Sequence, residues 1–125
     1  MPIDLTQAAA DIAAGRQSAQ RALEEALAQA TGAANRHTFI RRFEATARAT
    51  ARAIDVARES FAPPPPLAGL AVSIKDLFDV AGVTTLAGSK VRAGEAPAAA
   101  DATLVARMRQ AGAVLVGTNN MDEFA

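Results

Sequence analysis

Two lysines, four serines and one histidine are the side chains best suited to covalent or proton-transfer chemistry in this chain, which has no cysteine. The most pointed arrangement lies in "VSIKDLFDV", where Lys75 and Asp76 directly follow an apolar run. Side chains alternate across a strand, so Leu70, Val72 and Ile74 are expected on one face and Ala71, Ser73 and Lys75 on the other. Small residues precede the lysine on its own face, which leaves room around it. Lys75 would then project at the carboxyl end of the strand, where open parallel sheets bind their ligands. Partial desolvation there disfavours the charged ammonium and prepares it as a general base. The plain alternative is a lysine extending from a strand end to water, paired with Asp76 or Asp79.

The remaining groups offer less. Ser73 shares the face of Lys75, but two residues along a strand separate their backbones by about 6.6 Å. A Ser–Lys hydrogen bond needs roughly 2.6–3.2 Å between side-chain atoms, so Ser73 is not expected to be a nucleophile. Lys90 lies in the glycine-punctuated tract "DVAGVTTLAGSKVRAGEAP" and reads as a solvated loop charge. That tract has neither the phosphate-loop pattern nor the dinucleotide fingerprint. His37, in "NRHTFI", reads as a connector or a satisfied core residue.

Helices come first among the elements that must position these groups. Asp4 is placed to cap a short helix ending at Gly15, and Ser18 to cap a second ending near Gly32, with Leu23 and Leu27 on one face. A third run, "FEATARATARAIDVARES", sets Ala47, Ala51, Ile54 and Arg58 at helical spacing, with Arg48, Arg52 and Arg58 as a solvated face. Four prolines in "APPPPLAG" then break the helical pattern and favour a stiff extended connector; a proline-rich ligand for a partner is the other reading. Beyond them come two apolar runs of strand length, "GLAVSIKD" and "GAVLVGTNN". Between the runs lies a helix that Asp101 would cap, that Leu104, Val105 and Met108 would bury, and that Gly112 would end, leaving Arg107 and Arg109 facing outward. This is a βαβ unit of a parallel sheet. Residues 1–62 are thus expected to form a helical preface, and 63–125 the start of an α/β core. Two strands with open edges do not make a sheet, so an incomplete domain is expected.

Composition narrows the function. Thirteen basic residues balance thirteen acidic ones, so no overall field draws nucleic acid or an anionic membrane. No apolar run approaches a membrane span of roughly 20 residues. The N-terminus has no basic segment of the secretory kind, and a cytoplasmic protein is expected. With one histidine and no cysteine, neither a metal site nor a cofactor is expected.

Residues 63–125 resemble the amidase signature family. The match runs through "PLAGLAVSIKDLFDVAGVTT", then "AGS" at 87–89, then "DATLVARMRQAGAVLVGTNNMDEFA", and it agrees in spacing as well as residue type. The resemblance implies an α/β fold whose mixed sheet is covered by helices. It implies hydrolysis of a carboxamide by a serine, a second serine in a cis peptide, and a lysine. Lys75 would be that lysine, taking a proton from the bridging serine, which activates the nucleophile to form an acyl-enzyme. Met121 and Ala125 would lie near the site.

The chain departs from the family pattern at Ala71, where members often have proline, and at Thr118 and Asn119, where a basic residue and threonine are common at a turn. The glycine- and serine-rich segment that carries both catalytic serines in the family has no counterpart here. None of Ser18, Ser60, Ser73 and Ser89 has the neighbours of nucleophile or bridge. The chain alone is therefore expected to be inactive, and its partner to be a small-molecule amide together with the remainder of the enzyme or a second copy. Two other readings are a glutamine-amidase subunit of a tRNA-dependent amidotransferase and a non-catalytic helical interaction module.

Overall fold

A computed structural model describes residues 4–125. Helix α1 spans Leu5–Ala13, and the Asp4 carboxylate accepts from the Thr6 and Gln7 N–H groups at 2.9 and 3.1 Å. Gly15 ends it at φ +74°, a backbone conformation that costs glycine little. Helix α2, Ala19–Ala30, starts with Ser18 accepting from Arg21 N–H. It also receives a carboxylate from outside its own segment: buried Asp55 accepts from the Ala19 N–H at 2.8 Å and the Gln20 N–H at 3.1 Å. Asp55 belongs to α3, Glu44–Glu59. One helix thus satisfies the otherwise orphaned donors of another and places negative charge at its positive end.

Strand β1, Phe39–Arg42, stands between α2 and α3, in a segment expected to be a connector. It pairs antiparallel with β3, Val114–Asn119, which pairs parallel with β2, Ala71–Lys75. The order β1-β3-β2 makes β3 central, so the expectation of an open edge on each parallel strand holds for β2 only. A Cβ on Gly117 would collide with the Arg41 carbonyl oxygen and lie 3.0 Å from the Phe39 ring, so glycine is what allows β1 its close approach.

Each face of the sheet carries an apolar cluster. Ile12, Leu23, Leu27, Ala47 and Ala51 from α1–α3 pack with Leu70, Val114 and Val116. On the other face Ile74 and Leu115 pack with Val80 and with Val105 of α4, Thr103–Gln110. Leu70 therefore does not share the face of Val72 and Ile74: it precedes β2, in the turn that leads into the strand, and strand alternation does not govern it. Two expectations for α4 also change. Ala102, not Asp101, occupies the cap position; Asp101 instead accepts from the Ala81 N–H and the Arg109 guanidinium, each at 2.8 Å. Leu104 is exposed, and Val105 is the fully buried side chain of that helix.

Candidate active site

Lys75 closes β2 in register with Asn119 of β3, and both strands run in the same direction, so the two residues mark the carboxyl end of the parallel pair. The chain turns sharply there, with the Lys75 carbonyl accepting from the Leu77 N–H at 2.7 Å and the Phe78 N–H at 3.1 Å. Asp76, the next residue, is buried, and it organises the turn with three groups. Its N–H donates to the Asn119 carbonyl at 3.2 Å, its carbonyl accepts from the Ala87 N–H at 2.9 Å, and its carboxylate accepts from the Leu86 N–H at 3.2 Å. Burial pushes the Asp76 carboxyl above its usual range, against the opposing pull of the Leu86 hydrogen bond and of the Arg41 and Arg92 charges.

The loop that Asp76 holds reaches the last residues of the chain. Ala87 and Gly88 adopt φ +50° and +71°. A Cβ on Gly88 would come within 2.6 Å of the Met121 carbonyl oxygen, so the two backbones touch only because this residue is glycine. The Phe124 N–H donates to the Ala87 carbonyl at 2.8 Å, and the buried Ser89 hydroxyl donates to the Glu123 carboxylate at 2.5 Å. Behind the loop, the Thr85 hydroxyl donates to Asp79 at 2.5 Å and the Arg92 guanidinium to the Thr85 carbonyl at 2.8 Å. Segments far apart in sequence are thereby gathered at one end of the sheet: Lys75 and Asp76, Thr84 and Thr85, Gly88 and Ser89, and 120–125.

Lys75 itself is exposed, as is Ser73 on the same face. Sheltering of the ammonium was expected, but helices α2 and α3 cover only the start of that face, where Ala71 packs against their cluster. Beyond Ala71 the described residues leave the face and the β2 edge open. Neither the Asp76 nor the Asp79 pairing is present: each carboxylate is turned to the loop instead, and among the described residues Lys75 has no ion-pair partner. Ser73 and Lys75 form no hydrogen bond. Met121 is half-buried two residues beyond Asn119, and Ala125 is exposed. His37 is exposed, its Nε2 accepting from Arg36 at 2.9 Å, and Lys90 is exposed. Thr118 and Asn119 complete β3 and do not form a turn, and the buried Thr118 hydroxyl and the Asn119 side-chain oxygen Oδ1 have no partner among the described residues. Sequence reasoning missed Asp76 as the anchor of loop 86–89. Its only signal was its place beside the lysine.

The site is a basic group at the carboxyl end of a parallel strand pair, ringed by buried polar loops. That placement belongs to an α/β fold with a small mixed sheet. The sequence pattern of the amidase family matches residues 21–125. Over 116 residues the chain is 54% identical to AtzE, a 1-carboxybiuret hydrolase subunit of Pseudomonas sp. (strain ADP), covering 91% of this chain and 25% of that protein. It is 40% identical over 115 residues to a glutamyl-tRNA(Gln) amidotransferase subunit of Salinispora arenicola (strain CNS-205), covering 91% of this chain and 23% of that one. A solved chain from the vestigial protein complex tied to the origins of an s-triazine catabolic enzyme superposes with a TM-score of 0.94 at 49% identity, over 98% of this chain and 27% of that one. The chain belongs to the amidase family. It spans about a quarter of the length of these relatives.

Proposed function

We propose that this chain supplies the lysine-bearing part of a hydrolase that cleaves the C–N bond of a small-molecule carboxamide. The observation that carries the reading is the gathering of Lys75, loop 86–89 and the 120–125 segment at the carboxyl end of β2 and β3. In the proposed mechanism neutral Lys75 takes a proton from a bridging serine, which takes one from the nucleophilic serine. The nucleophile attacks the amide carbon, the C–N bond breaks with proton return to the amine or ammonia, and water then releases the acid from the acyl-enzyme. Both serines would come from polypeptide other than these 125 residues, because none of the four serines faces Lys75 within bonding distance. Packing of that polypeptide over the open β2 face would supply the desolvation the lysine needs to act as a base.

Relatives named as subunits favour a second reading of the same chemistry, in which this chain works inside an enzyme of several different chains that draws ammonia from an amide donor. The test is an amidase assay with simple amides. The isolated chain should show no turnover. In the longer enzyme Lys75→Ala should cost roughly 10²–10⁴-fold in kcat. Turnover by the 125-residue chain that Lys75→Ala abolishes would overturn the assignment of the serines.

A further inference from the structure

At the opposite end of the sheet from Lys75 lies an apolar groove of about 260 Å³, walled by Ile54 and Ala57 of α3, by Pro63 and Pro65, and by Ala68. Two guanidinium groups line it, and they differ in kind. Arg109 is neutralised by Asp101 at 2.8 Å. Arg58 has no ion-pair partner among the described residues, and its Nε is buried with no hydrogen-bond acceptor. The head of Arg58 packs beside Gly15, where a Cβ would approach its Nη1 to 2.5 Å. The Nε is sealed from the groove, but the Arg58 side chain is half-buried and lines it, and a carboxylate is the partner that the charge and fork geometry of a guanidinium fit best.

We infer that this groove binds a small free carboxylic acid, its apolar body against Ile54, Ala57 and the proline wall and its carboxylate on Arg58. Charge complementarity selects an anion, and the apolar walls select a hydrophobic tail. The volume lies just below the roughly 300–1,000 Å³ of drug-sized pockets, which favours a single-ring acid. The tetraproline stretch is then one wall of a ligand site, with its stiffness holding the groove open in the absence of ligand. Nothing in the amidase reading requires this site, since about 13 Å of strand from Ala71 to Lys75 separates the two ends.

The experiment is a titration of the ¹⁵N-labelled chain with benzoate, read by amide chemical shifts, with benzyl alcohol as the uncharged control. Saturable shifts confined to the amides around Ala57, Arg58 and Gly112 are expected with benzoate, and much weaker ones with benzyl alcohol. Arg58→Gln should weaken benzoate binding about 10- to 100-fold, the loss expected for a charge-assisted hydrogen bond. Arg107→Gln, on the exposed side of α4 and outside the groove, should leave it unchanged. Should Arg58→Gln fail to fold, Ala57→Phe, which fills the groove and leaves Arg58 in place, should abolish binding. No saturable shift, equal binding of the alcohol, or full binding by either variant would overturn the inference. So would tighter binding of a peptide through its C-terminal phenylalanine carboxylate, which would hand the groove to a polypeptide partner.

Discussion

The two ends of the parallel strand pair are built from different materials. Where β2 and β3 begin, backbones and small side chains press together. The Gly69 N–H donates to the Gly112 carbonyl at 3.0 Å, and a Cβ on Gly112 would lie 2.8 Å from the Ala68 Cα. Where the strands end, the buried groups include four polar ones, Asp76, Thr85, Ser89 and Thr118, beside the apolar Ile74 and Val80. The first end holds the fold together through close contact. The second sets hydrogen-bonded loops around an exposed lysine, with only the Thr118 hydroxyl and Asn119 Oδ1 unpartnered there among the described residues. The first end tolerates no added atoms, whereas the second buries polar groups that stay in place through hydrogen bonds between loops.

Four substitutions separate the ends, taken from the largest effect to the smallest. Gly112→Val adds a β-branched side chain at φ +89° against Ala68, and should cost about 3 kcal/mol or more in urea-denaturation stability. A small loss there would mean that the tight end can relax. Ser89→Ala removes the hydroxyl that holds Glu123 and should cost about 1 kcal/mol, with faster hydrogen exchange at the Phe124 amide as the local signature.

Asp76→Asn acts through pH. The folded carboxyl titrates above its usual value of 3.8, so its contribution favours the fold while it is protonated and is lost as pH rises from about 3.8 through the raised value. Stability measured across that interval should move in favour of the asparagine variant as pH rises. A difference that moves the other way would show that burial does not dominate at Asp76. Lys75→Ala should change stability by no more than about 0.5 kcal/mol, because the side chain is exposed and unpaired among the described residues. A larger loss would make Lys75 a structural residue and blur the contrast between the ends.

Local rules made much of this chain readable from sequence. Asp4, Ser18 and Gly15 act on helix ends through bonds to adjacent residues, and the apolar runs of β2 and β3 follow from composition. What escaped depends on distant partners. Phe39–Arg42 offers two apolar residues and two arginines, and becomes a strand only because β3 lies beside it with Gly117 clearing space. Asp101 has the side chain of a helix cap but is engaged by the Ala81 N–H and by Arg109. Leu70 sits one residue before the strand, where a turn resets which way a side chain points. Lys75 was legible in position and not in environment, because shelter depends on what packs against the free edge of β2. The carboxylate of Asp55 at the start of α2 likewise has no sequence signal near the helix it serves.

The middle position of β3 bears on how the protein comes into being. It is the last of the three strands in sequence, yet both others hydrogen-bond to it and not to each other. During synthesis β1 and β2 emerge early and must wait as unpaired ribbon. The α-helices can form meanwhile, but these three strands join only once Val114–Asn119 leaves the ribosome and docks between its two neighbours.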